Sequence, residues 1–251
     1  MQRTRGRRKR STRAQLGFDW RSHGGARRGA GRPPGRGRRN VRHRIRERVV
    51  ARHPLHVTLR LRREVGWLRS ERTLRALYRS LARGCQRFET HVVYFSVQGD
   101  HVHLMVEAAD ARALSRSMKG LSVRITRALN KILGRRGAAF ADRYHARELA
   151  SPREVRSALA YLLCNYRHHA AARGRVLGHW WIDPCSSGWY FPGWRGRRGA
   201  AVTGAWAPVR SAPRLAEPTT WLLTVGWQRA GLIAVNHVPG GDLNRADKSR
   251  A

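Results

Sequence analysis

The spacing of apolar and polar residues divides the middle of the chain into alternating strand and helix patterns. Apolar and polar residues alternate over 53–61, which predicts a half-buried strand. A helical spacing of apolar residues follows over 68–88, and a second strand is predicted over 90–98. A Gly-Asp pair at 99–100 then predicts a tight turn into a third strand over 101–107.

The pattern continues with a long helix, a fourth strand and a final helix. Apolar residues lie on one stripe over 111–133, which predicts an amphipathic helix. A fourth strand is predicted over 139–149. Ser151, followed by Pro152 and then Glu154, has the spacing of a capping box, so we expect a helix from there to about residue 169.

The predicted order of elements is βαββαβ followed by one further helix, which indicates an α+β protein with a ferredoxin-like sheet. In this arrangement two helices cover one face of the sheet, and the first and third strands lie side by side at its centre. The other face is open. The appended helix is the element left to close it.

Two histidines on the third predicted strand are candidate metal ligands. Alternate side chains of a strand share a face, so His101 and His103 point the same way and can bind one ion. Their neighbours on the opposite face are apolar: Val102, Leu104 and Val106. A polar sheet face is an equally good explanation of the pair taken alone, and a third ligand has to come from another element.

The appended helix carries the residues that complete this chemistry. Tyr161 and Asn165 are four residues apart, so a hydroxyl and an amide oxygen face the same side of the helix. The ordinary alternative is an amphipathic helix with a tyrosine at the edge of the core and a surface asparagine. Tyr144 is a less favoured candidate nucleophile, and His56 belongs to the open face and is a candidate for contact with the histidine pair.

The charge of the chain predicts a polyanionic partner. Of the 251 residues, 52 are Lys or Arg and 15 are Asp or Glu, so the formal net charge is +37. Such an excess favours nucleic acid over a membrane surface. No apolar run approaches the roughly 20 residues of a membrane-spanning helix. The three cysteines have no Cys-x-x-Cys spacing, which favours a reduced, cytoplasmic setting.

Composition also divides the chain into three regions. Residues 1–50 are rich in Arg and Gly and are predicted to be a disordered basic arm, either lying along phosphates or acting as a solubilising tail. The catalytic domain is expected over 51–172. Residues 173–251 form an extension rich in Trp and Gly, whose aromatic rings either stack on unpaired bases or cover the catalytic domain. We favour the cover, with 221–227 as a docked strand or helix.

Four sequence motifs of the predicted domain together resemble the single-tyrosine HUH transposases, in particular the REP-associated tyrosine transposases of the IS200-like superfamily. The resemblance covers about residues 50 to 170. Along the chain the motifs are Ser96-Val97-Gln98, His101-Val102-His103, Arg143-Tyr144-His145-Ala146-Arg147 and Tyr161-x-x-x-Asn165. The resemblance implies that Tyr161 is the nucleophile and that His101, His103 and Asn165 hold a divalent ion. The best-known relatives have Gln where this chain has Asn165.

The resemblance implies a DNA transposase that cleaves and rejoins single-stranded or hairpin DNA through a 5′-phosphotyrosine intermediate. Two imidazoles and an amide oxygen suit Mg²⁺ or Mn²⁺. The chain would act as a monomer or a homodimer. The alternative from another class is a catalytically silent protein that binds single-stranded nucleic acid on the same fold. A replication initiator is disfavoured because the final helix has one candidate tyrosine and no helicase region is visible.

Overall fold

The computed structural model describes residues 49–196 and 213–239, which form a sheet with helices on both faces. Residues 1–48 of the predicted basic arm lie outside these ranges, as does Trp206. No helix in the described ranges is both long enough and apolar enough to cross a membrane. The elements are β1 Leu55–Arg60, α1 Glu71–Ala82, β2 Thr90–Val97, β3 His101–Ala108, α2 Ala111–Leu133, β4 His145–Glu148, α3 Pro152–Ala171, β5 Trp194–Arg195, α4 Trp221–Thr224 and β6 Ile233–Ala234.

The main sheet has four strands in the order β2-β3-β1-β4, and every neighbouring pair is antiparallel. The central strands β1 and β3 pair in a register that places Thr58 opposite His103 and Arg60 opposite His101. This order and the two helices that connect the strands confirm the predicted ferredoxin-like α+β fold. β5 and β6 form a separate two-stranded parallel sheet.

Helices α1 and α2 cover one face of the main sheet. Side chains of β1 and β3 that alternate with the polar positions, such as Val57 and Leu104, are fully buried under these helices. The helix ends follow from local sequence. The Asp110 carboxylate accepts the N–H of Ala113 at the start of α2, and Gly134 ends this helix with a positive φ of 62°.

Helix α3 covers part of the second face. Its first turn has the predicted capping box, in which Ser151 and Glu154 accept each other's backbone N–H groups. The apolar side of α3 packs on Val93 and Met105 of the sheet. The back of α3 is covered in turn by apolar residues from the end of the chain: Phe191, Trp194, Leu222, Leu223, Trp227, Ile233 and Val235.

Two buried carboxylates attach the segment beyond α3 to the sheet. Asp183 binds the Arg69 guanidinium through both oxygens, at 2.7 and 3.0 Å, and Arg69 also donates to the Val97 carbonyl at 2.7 Å. The backbone N–H and hydroxyl groups of Thr219 and Thr220 donate to the Glu107 carboxylate over 2.7–3.1 Å. The sheet thus fixes this segment at two separate points.

Three elements differ in extent from the sequence predictions. The helix predicted over 68–88 begins only after Ser70, whose hydroxyl caps it, and ends at Ala82. The strand predicted over 139–149 is reduced to His145–Glu148, because residues near 140 make only an isolated bridge to the end of β1. Residues 221–230 form a short helix and a 3-10 turn packed on α3.

Candidate active site

The candidate site lies on the second face of the sheet, where polar side chains of β1 and β3 meet α3. His101 and His103 share this face, and their ring centroids are 4.6 Å apart. His103 is 4% exposed, whereas His101 is partly exposed to solvent. The strand alternation therefore brings the two predicted histidines together, as expected for two ligands of one ion.

The ring of His103 is oriented by β1. Its Nδ1 lies 3.1 Å from His56 Nε2 and 3.2 Å from Thr58 Oγ1, so a proton on Nδ1 has an acceptor. Burial, together with the neighbouring His56 and His101, lowers the pKa of His103 to about 2, so the ring is neutral at neutral pH. The lone pair of Nε2 is then directed at α3. This is the orientation of a metal-ligating imidazole whose second nitrogen is hydrogen-bonded.

His101 has a carboxylate partner. Its Nδ1 lies 2.6 Å from Oδ1 of Asp100, the preceding residue in the hairpin turn. Burial raises the pKa of Asp100, but the hydrogen bond and charge of His101 and the charge of Arg60 outweigh it and hold that pKa below its usual value. An Nδ1–H donated to a carboxylate fixes the orientation of the ring and leaves Nε2 available as a ligand.

Helix α3 brings Tyr161 and Asn165 to the histidines. The Tyr161 ring makes edge contacts with His103 and His56, with centroids 5.3 and 5.8 Å apart. The side chain is 39% exposed, so solvent reaches it, while partial burial raises the pKa of its hydroxyl. Asn165 is 1% exposed, and its Nδ2 lies 3.3 Å from His103 Nε2. The four predicted site residues therefore converge on one place.

The donor set suits a divalent ion, although it contains few charged groups. In residues 49–196 and 213–239, no three His, Cys, Asp or Glu side chains are grouped so as to hold a metal. The donors are instead two imidazoles and the amide of Asn165, whose buried Oδ1 has no hydrogen-bond partner within the described ranges. Turning the amide over exchanges its oxygen and nitrogen and directs the oxygen to His103.

The other tyrosines considered lie elsewhere. Tyr144 packs against the core beneath α1 and α2, on the opposite side of the sheet. Tyr166 is on α3, but its ring lies 4.0 Å from the Arg69 guanidinium and 5.4 Å between centroids from Trp181. Of Tyr144, Tyr161 and Tyr166, Tyr161 is the one whose ring contacts His103.

Sequence analysis singled out His56, one of the groups that orient the histidines, but missed Asp100 and Thr58. Asp100 was assigned only to the turn, although its position directly before His101 is a usable signal. Thr58 was one polar residue in an alternating strand. Its place opposite His103 depends on the register of β1 against β3, which the pattern of a single strand does not fix.

The protein thus has a ferredoxin-like fold in which a tyrosine on a helix contacts one of two neighbouring histidines on a strand. Residues 49–162, somewhat less than half of the chain, match the family model described as "Transposase IS200 like". This match supports a DNA-processing enzyme.

Two solved structures resemble the chain at low sequence identity. One is a REP-associated tyrosine transposase bound to a REP hairpin, with 13% identity, a TM-score of 0.41, and coverage of 54% of this chain and 76% of the other. The second is a candidate transposase from Deinococcus radiodurans R1, with 12% identity, a TM-score of 0.34, and coverage of 56% and 100%. No curated protein sequence gives a significant match.

Proposed function

We propose that this protein is a transposase that cleaves and rejoins single-stranded or hairpin DNA through Tyr161. The observation that carries the proposal is the contact between Tyr161, on the last helix of the domain, and His103, whose Nε2 lies 3.3 Å from the Asn165 amide. A protein that only binds nucleic acid has no need of this arrangement. The net charge of +37 supports DNA as the substrate.

The proposed reaction begins with attack of the Tyr161 hydroxyl oxygen on a phosphorus of the DNA. A bond forms between the tyrosine oxygen and phosphorus, and the bond from phosphorus to the 3′ oxygen breaks. The phenol loses its proton to solvent, and the departing oxygen takes up a proton as a free 3′-OH. Because the 5′-phosphotyrosine keeps the energy of the phosphodiester, a second 3′-OH can attack it and join strands.

His101, His103 and Asn165 are the proposed ligands of a Mg²⁺ or Mn²⁺ ion. A bound divalent ion neutralises charge on the phosphate and polarises phosphorus. Asp100 and Thr58 hold the two imidazoles with Nε2 outward. Partial burial raises the pKa of Tyr161, so few hydroxyls are ionised before substrate binds.

The domain division follows from the same proposal. We assign the catalytic domain to residues 51–172, which contain the sheet, the histidine pair and α3. The extension from 173 contributes the cover over the back of α3. The basic arm of residues 1–50 adds charge for the DNA backbone.

Formation of a covalent adduct tests the proposal. The protein is incubated with hairpin DNA in Mn²⁺, and adducts are separated on a denaturing gel. A label at the 3′ end should migrate with the protein, because the 5′ phosphate of the downstream strand is the group attached. A label at the 5′ end should be released, and EDTA should abolish both. Tight binding of every hairpin tried with no adduct would instead support the catalytically silent binder.

Asp100→Asn should raise the Mn²⁺ concentration that adduct formation requires. An amide in place of the carboxylate orients His101 less well, and loss of such a partner typically lowers metal affinity or activity by about 10- to 100-fold. The measurement is adduct yield against Mn²⁺ concentration. Arg60→Gln is the matched control, since it removes the other partner of Asp100 and leaves the bond to His101. Equal Mn²⁺ curves for Asp100→Asn and wild type would contradict the assignment.

A further inference from the structure

A cleft of about 340 Å³ adjoins the candidate active site at His101. Its walls come from the loop after β1, the hairpin between β2 and β3, and the last turns of α3. Its volume is at the lower end of the range of sites that enclose small organic groups. The Tyr161 chemistry does not itself use this cleft.

The cleft lies farther along α3 than the candidate nucleophile. Asn165 and His169 follow Tyr161 at intervals of four residues along this helix, and Arg173 comes two residues after its end at Ala171. His169 and Arg173 line the cleft, as does His101 of the candidate site. With a rise of about 1.5 Å per residue, His169 lies about 12 Å along the helix from Tyr161. A DNA strand bound at Tyr161 can therefore reach the cleft at His101 and His169.

The described lining of the cleft carries more positive than negative charge. Arg62, Arg63 and Arg173 are exposed at its rim. Among its described lining residues the acidic one is Asp100, which is bound to His101 and Arg60. The charge balance favours an anionic ligand such as the phosphates of a strand.

An exposed aromatic ring forms one wall. Trp67 is 56% exposed, although it is a large apolar side chain. Its ring packs directly against Gly99. A Cβ at position 99 would lie only 2.4 Å from Trp67 Cζ3. Gly99 thus supports the ring from the hairpin, and solvent reaches the rest of it. A fixed, exposed indole beside arginines is a typical platform for stacking an unpaired base.

We propose that this cleft binds an unpaired nucleotide of the DNA strand close to the cleaved phosphodiester, with its base stacked on Trp67 and its phosphates on Arg63 and Arg173. The inference rests on the proposed function for the identity of the strand. Stacking requires a base released from its pair, so the cleft selects single-stranded DNA beside a hairpin over continuous duplex.

Fluorescence of 2-aminopurine tests the cleft separately from the chemistry. The probe is a hairpin stem with oligo(dT) flanks that carries one 2-aminopurine, placed at each flank position in turn. It is bound to the Tyr161→Phe protein so that no cleavage occurs. We expect quenching at one or two positions, recovery of emission in a second protein that also has Trp67→Ala, and about tenfold weaker binding by that protein. Trp67→Phe should retain part of the quenching.

Two controls separate a local effect from a general one. Trp180→Ala removes another tryptophan of similar exposure, 49%, that does not line the cleft, and should leave the quenching unchanged. Arg63→Gln and Arg173→Gln should each lower the slope of log affinity against log salt by about one. Quenching that is the same with and without Trp67, in proteins of equal unfolding midpoint, would overturn the cleft assignment.

The two proposals fail in different ways. If the wild-type protein forms adducts but no flank position depends on Trp67, the cleft proposal is wrong and the Tyr161 chemistry stands. If Trp67-dependent quenching occurs but no adduct forms on any hairpin, the nucleotide site stands and the transposase mechanism is wrong. Equal quenching by a continuous duplex with an internal 2-aminopurine would overturn the selection for an unpaired base.

Discussion

The Tyr161→Phe protein should form no covalent adduct with hairpin DNA and should bind that DNA as tightly as the wild type. The substitution removes the attacking oxygen, and loss of a nucleophile lowers the rate by about 10³-fold or more. The phenyl ring can keep the edge contacts with His103 and His56. Because the side chain is 39% exposed, loss of the hydroxyl should change stability little. Adduct yield and binding affinity are measured on the same preparation.

Tyr144→Phe is the control for this experiment. Tyr144 was the rival candidate nucleophile, and its ring packs on the far side of the sheet, away from the histidine pair. The control protein should therefore form adducts as the wild type does. An adduct that survives Tyr161→Phe and is lost in Tyr144→Phe would reassign the nucleophile and remove the main support for the proposed mechanism.

Asp183→Ala should lower the free energy of unfolding by about 3–5 kcal/mol, because it leaves the Arg69 charge buried without its partner. The Arg69 and Asp183 side chains are 8% and 1% exposed and are joined through both carboxylate oxygens. Asp183 also accepts the N–H of Cys185. Urea unfolding of the full chain, followed by tryptophan fluorescence, measures the change.

Glu71→Gln provides the comparison for Asp183→Ala. It removes an ion pair with Arg75 on the outside of α1, where both side chains are about half exposed. Such surface pairs contribute about 0–1 kcal/mol. Equal unfolding midpoints for Asp183→Ala and Glu71→Gln would show that the buried pair does not hold the segment beyond α3 to the sheet.

The fold was predictable because each element has its own local signal. Alternating residues in β1 and β3, the apolar stripe of α2, and the capping box of α3 each identify an element without knowledge of the rest. Their order then leaves few ways to arrange four strands. The start of β4 was misplaced because Phe140 makes only an isolated bridge to Leu61, and continuous pairing with β1 begins at His145.

The candidate site was predictable only in part. The His101 and His103 pair and the Tyr161 helix are separate local patterns, and the order of elements brings them to one face. The partners of those residues are set by pairing and packing between distant segments. The cleft combines Trp67, from the loop after β1, with Arg173, from the turn after α3. No spacing along the chain relates two residues so far apart.

The cover over α3 bears on how far the protein can be shortened. Residues as far along as Val235 bury the apolar back of α3, the helix that carries Tyr161 and Asn165. A protein cut after Ala171 would keep every candidate site residue and yet expose this apolar face to water. The residues that hold the site in place therefore extend well beyond the residues that form it.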